Sequence, residues 1–238
     1  MTGYVTATSL RTILMIGAGP ALLLAALGLV VGAAVEAAVA AYRRDWRFWP
    51  WSLWRRSRIK RMLSIQIVTA ATFYGLAVQY AYEPPLLVIG AVESTLLITL
   101  LFIDLNLRLI PTLPVGLLTL LALTSAGEWP SLGLRSALLG GVLGFASFVL
   151  LAAVGHRVFG EEVLGAGDAN LALAIGCMTG YPLVVATLAL GIFLGGVWAG
   201  AVLLLGRGGL HGTMPYGPAL IAAVLIVLVH GNTAHPFM

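Results

Sequence analysis

From Thr12 to Val35 the chain carries no Asp, Glu, Lys or Arg, and similar charge-free runs span Leu109–Gly127 and Leu171–Gly206. Backbone inside hydrocarbon must satisfy its own hydrogen bonds, which leaves helices or closed barrels. Continuous apolar runs near the ~20 residues that cross a bilayer argue for helices. Only 9% of the 238 residues are charged and 60% are hydrophobic, against roughly a quarter charged in soluble domains. The expected fold is therefore an all-α polytopic membrane protein with about eight transmembrane helices.

The runs place spans at about 13 or 20–41, 62–82, 86–103, 114–126, 134–154, 168–180, 183–205 and 214–229. Counted from Pro20, the first extends roughly 33 Å, enough to cross. It is expected to be retained as a span, since it lacks a small-residue cleavage site and exceeds a signal-peptide core. The 29 glycines and 11 prolines suit helices that pack closely or stop at defined places. Two regions follow: 1–61, a first span plus a basic aromatic loop, and 62–238, the membrane core.

Eight of the 13 basic residues fall in Tyr42–Arg61, with tryptophans at 46, 49, 51 and 54. A net charge of +4 concentrated in this way indicates a cytoplasmic loop at phospholipid headgroups rather than a nucleic-acid surface. With eight spans, both termini lie outside the cytoplasm. Arg108, Arg157 and Arg207 then join those eight on the inside, leaving Arg11 and Arg135 outside. The same topology brings Asp104 and Asp168 to one membrane face. Cys177 is the sole cysteine, so an internal disulfide and a thiolate metal site are both excluded.

Charge is costly in hydrocarbon, so ionisable groups at or within span ends are functional candidates. Asp104 closes the third span, and Asp168 stands between a glycine-rich turn and the run from Leu171. Gly165 and Gly167 permit unusual backbone angles and close approach. At a helix N-terminus, Asp168 is favoured as an anion. Two carboxylates that share a proton can work as acid and base on a water between them. Glu36 and Glu93, also within spans, are candidates for ion pairs, or for proton or cation sites.

Asp104 is followed by Ile110-Pro111, and the second segment reads Gly165-Ala166-Gly167-Asp168-Ala169-Asn170. Together with Met214-Pro215-Tyr216-Gly217-Pro218, these resemble the type IV prepilin peptidase family of membrane aspartic proteases, which includes the preflagellin peptidases. Thr112 stands where that family commonly has a second Asp, and Asn170 replaces its Lys. Gly32-Ala33-Ala34-Val35-Glu36 resembles a worn Gly-Ser-Phe-Leu-Asn segment, and Gln66 falls where Glu is usual. The four zinc-binding cysteines of bifunctional members have no counterpart between these points.

The resemblance implies an aspartic endopeptidase that removes the basic leader of type IV prepilin-like or pseudopilin precursors at the cytoplasmic face of the plasma membrane. It implies Asp104 and Asp168 as catalytic residues, with Gly165, Gly167, Asn170 and Pro111 in support. Glu161 and Glu162 are the expected contacts for a basic leader. No metal or cofactor is expected; S-adenosylmethionine would serve only an N-methyltransferase activity, against which the changes at Glu36, Gln66 and the cysteine region speak. Two other readings compete: a proton- or cation-coupled transporter using Glu93 and Glu36, and a non-catalytic pilus-assembly membrane protein.

Overall fold

The computed structural model describes residues 7–41, 51–80, 82–130, 132–159, 165–204 and 216–230. They form eight helices and no strand: α1 (Ala7–Ala41), α2 (Trp51–Tyr80), α3 (Pro84–Leu107), α4 (Thr112–Ser125), α5 (Gly133–Phe159), α6 (Ala166–Thr179), α7 (Leu183–Leu204) and α8 (Gly217–Val229). Five of them, α1, α2, α3, α5 and α7, are long and apolar enough to cross a membrane. The protein is a multi-pass membrane protein. Helices α4, α6 and α8 have 14, 14 and 13 residues, or about 20 Å each, shorter than a ~30 Å hydrocarbon core.

Several boundaries differ from expectation; α1 starts at Ala7 rather than at 13 or 20, and α5 runs five residues beyond 154. Helix α2 starts at Trp51, so the part of the basic loop open to a short surface helix, 51–61, is helical and continuous with the second span; Arg and Lys are good helix formers. Helix α3 runs four residues beyond Ile103, which puts Asp104 inside it. Hydroxyls along the apolar helices bond back into their own turns, as in Thr69 Oγ1 to Ile65 O, Thr119 Oγ1 to Val115 O and Thr179 Oγ1 to Ile175 O. No hydroxyl proton is left bare at these positions.

The chain divides into two compact units, residues 1–95 and 96–238, with α3 giving its first half to one and its second half to the other. In the first unit, α1 and α2 cross closely and antiparallel. A Cβ on Gly28 would lie 2.8 Å from Ala70 Cα, and one on Gly32 would lie 2.9 Å from Gln66 Cα. Residues four apart share a helix face, so Glu36 continues that stripe and meets Arg61, whose Nη2 donates to Glu36 Oε1 at 3.5 Å. Small residues give such helices their close contact in lipid, where hydrophobic burial gives none.

In the second unit α6 is enclosed by α4, α5, α7 and α8. Nine of its 14 residues are buried, matching a sequence apolar all round. Its closest neighbour is α5, and Gly140 and Gly176 press backbone against backbone. A Cβ on Gly176 would lie 2.5 Å from Gly140 C and 2.8 Å from Gly141 N. Gly180 ends α6 at φ +67°, a conformation that favours glycine. Ser136 Oγ then donates to Tyr181 O at 2.8 Å, and Tyr181 N donates to Ser136 O at 3.1 Å.

Because the α5 backbone at Gly140 and Gly141 cannot yield, Gly176→Ala should cost about 3 kcal/mol through overpacking. Gly196, whose added Cβ would meet nothing within 4 Å, should accept alanine with no loss. Thermal unfolding in detergent micelles compares the two variants.

Candidate active site

Three helix ends of the second unit converge on one place. Asp104 lies in the last turn of α3, Asp168 in the first turn of α6, and Gly217 opens α8. Helix α3 stops because Arg108 adopts φ 52°, the left-handed conformation that ends many helices. Its N–H still donates to Asp104 O at 2.8 Å. Leu109–Pro111 follows without helical structure, and Pro111, extended at φ −67° and ψ 133°, is the N-cap of α4.

Ile110 wedges this connection between two glycines. A Cβ on Gly167 would lie 3.0 Å from Ile110 Cβ, and one on Gly217 would lie 3.2 Å from Ile110 Cδ1. Gly217 also abuts Asp104: its added Cβ would lie 3.2 Å from the carboxyl carbon and collide with Oδ2. The glycines at 167 and 217 thus allow the 108–111 segment and the Asp104 side chain to fit against the starts of α6 and α8.

Asp104 is 4% exposed. Its Oδ2 is fully buried with no hydrogen-bond partner, which is uncommon for a polar atom in a folded protein. Asp168 is half-buried, and Gly167 beside it packs on Ile110, the residue that together with Asp104 lies against Gly217. It reaches back as the third residue of α6, accepting the Gly165 N–H at 3.3 Å, while its own N–H bonds Gly165 O at 3.0 Å. This is half of a capping box. The two carboxylates stand in opposite helix fields: an N-terminus favours an anion, a C-terminus opposes one.

The remaining sequence candidates are divided. Gly165, Gly167 and Pro111 belong to the cluster, and Asn170 stands half-buried two residues beyond Asp168. Glu161 and Glu162 lie outside the described residues, as do Met214 and Pro215. Glu36, 7% exposed, is paired with Arg61 rather than free at the surface. Glu93 is 1% exposed. Cys177 is buried where α5 passes at Gly141. No group of His, Cys, Asp or Glu able to hold a metal occurs among the described residues. Ile110 and Gly217 were quoted in the motifs without a role; their signal was adjacency to proline, which marks chain turns.

Residues 91–200 match the model of the type IV leader peptidase family. Among curated proteins, the chain is 31% identical over 175 residues to a prepilin leader peptidase/N-methyltransferase of Neisseria gonorrhoeae, covering 71% of this chain and 57% of that protein. It is 33% identical over 147 residues to the protein of that description from Myxococcus xanthus (60% and 42% covered). The Bacillus subtilis counterpart is 25% identical over 177 residues (72% and 67% covered). The chain thus spans between 42% and 67% of these relatives' lengths. No solved structure matches it significantly. Both aspartates lie inside residues 91–200, the segment that matches the type IV leader peptidase family.

Proposed function

We propose that the chain is an aspartic endopeptidase that removes the leader from type IV prepilin-like precursors at the cytoplasmic membrane face. The observation that carries the reading is the convergence of Asp104 and Asp168 from two helix ends, one with a buried, unpartnered oxygen. Two carboxylates at one buried site favour a state with one shared proton. Asp168, with the Gly165 N–H and the start of α6, is the anion. Asp104, at the end of α3, carries the proton.

In this reading Asp168 takes a proton from a water as its oxygen attacks the scissile carbonyl. Asp104 gives its proton to the carbonyl oxygen, forming a neutral tetrahedral diol. Collapse of the diol breaks the C–N bond. The nitrogen leaves with the proton held by Asp168, and a diol hydroxyl returns one to Asp104. Both carboxyls end as they began. The matched relatives are named as prepilin leader peptidase/N-methyltransferases; only the peptidase activity is proposed here. The basic stretch 43–61 would hold phospholipid headgroups.

Glu36 takes no part in this chemistry. Glu36→Ala should lower stability by about 2 kcal/mol through loss of the charged hydrogen bond and leave cleavage unchanged. A transporter working through that carboxylate would lose its function instead. Intact-mass spectrometry of several prepilin-like proteins co-expressed with this chain tests the activity itself. Loss of a short basic leader from at least one is expected. Failure on every substrate that a Neisseria relative processes in the same host would overturn the proposal.

A further inference from the structure

The Ile110 side chain has one end at the residue before Asp168 and the other at the residue that bounds Asp104. A Cβ built on Gly167 would lie 3.0 Å from Ile110 Cβ and 3.7 Å from its Cγ1. At the far end, a Cβ built on Gly217 would lie 3.2 Å from Ile110 Cδ1 and would also run into the Asp104 carboxyl. One alkyl group thus separates the first turn of α6 from the first turn of α8. We propose that Ile110 is a positioning residue, a rigid apolar spacer that fixes the Asp104 carboxyl relative to Asp168. This inference rests on the peptidase reading and adds to it a side chain with no acid–base chemistry of its own.

Three local features suit this side chain to the task. First, its backbone is held on both sides. Arg108 turns left-handed at φ 52°, Pro111 is extended at φ −67°, and a residue before proline is kept out of the helical region. Second, a β-branched side chain has few χ1 choices. With the backbone fixed as well, the Cδ1 methyl has a defined reach. Third, Ile110 is only half-buried. Trimming it opens no sealed cavity and costs less stability than trimming a core isoleucine, so its contacts with the two glycines matter more than its bulk. An alkyl group also offers neither donor nor acceptor. It leaves the proton and the attacking water to the two carboxyls.

Cleavage of a prepilin-like protein by the full-length chain in detergent tests the spacer, with thermal unfolding measured on the same samples. Valine at position 110 loses the δ-methyl that meets Gly217, leucine keeps one, and both retain the Cβ that meets Gly167. Ile110→Val should lower kcat by about 10-fold and Ile110→Ala by about 10²-fold, the cost of a displacement near 1 Å. Leucine should restore most of the kcat that valine loses, and KM should change little throughout. Ile110→Val and Ile110→Leu should both unfold within about 5 °C of the wild type, so a side chain that merely fills space would leave them equally active. Combining Ile110→Val with Gly217→Ala probes the contact itself. Both changes act on one contact, so the loss in the double variant should fall short of the product of the single losses. Equal kcat for Ile110→Val and Ile110→Leu, or losses that multiply, would overturn the spacer and spare the peptidase. A wild type that cleaves no prepilin would remove both.

Discussion

Replacing either Asp104 or Asp168 with asparagine should lower leader cleavage by about 10²–10⁴-fold, the contribution of a positioned acid or base. Asparagine keeps the shape of the side chain and removes the ability to exchange a proton. Neither variant should lose stability. Asp104 is 4% exposed with one oxygen unpartnered, so a neutral amide there should hold the fold at least as well. A gain in unfolding temperature for Asp104→Asn would show the usual conflict between stability and a strained site. Cleavage by mass spectrometry, read beside thermal unfolding, separates loss of chemistry from loss of fold.

The second large effect concerns Gly217, which is neither acidic nor polar. Any side chain there runs into the Asp104 carboxyl and Ile110. Asp104 must then rotate or the start of α8 must move, and a displacement near 1 Å can cost ~10²-fold in rate. Gly217→Ala should therefore lower kcat by about that factor while α8 still packs on α7 through Gly191 and Gly195. Gly217→Val should be worse. Unaltered kcat in Gly217→Ala would mean that the Asp104 position tolerates movement, contrary to the geometry described.

Much of this arrangement was legible because the two carboxylates sit on short motifs. Asp104 with Ile110-Pro111, and Gly165 through Asn170, marked both the carboxylates and the glycines that let them meet. Helix limits were less legible. Hydropathy ended the third span at Ile103, but the helix ends where Arg108 turns left-handed, a backbone event that apolarity does not encode. The basic stretch hid the beginning of α2, since lysine and arginine look like loop yet favour helix. Partners far apart in sequence were hidden too. Nothing in the order of residues says that Gly217 abuts Asp104, or that Arg61 is the partner Glu36 meets across α1 and α2.

The most direct test of the paired-carboxylate account is a double-mutant cycle of leader cleavage. Rates are compared for the wild type, Asp104→Asn, Asp168→Asn and the variant carrying both. If the two groups share one proton and act on one water, removing the second loses almost nothing more, and all three variants fall to a common residual rate. Multiplying losses, or near-normal cleavage in either single variant, would contradict the account.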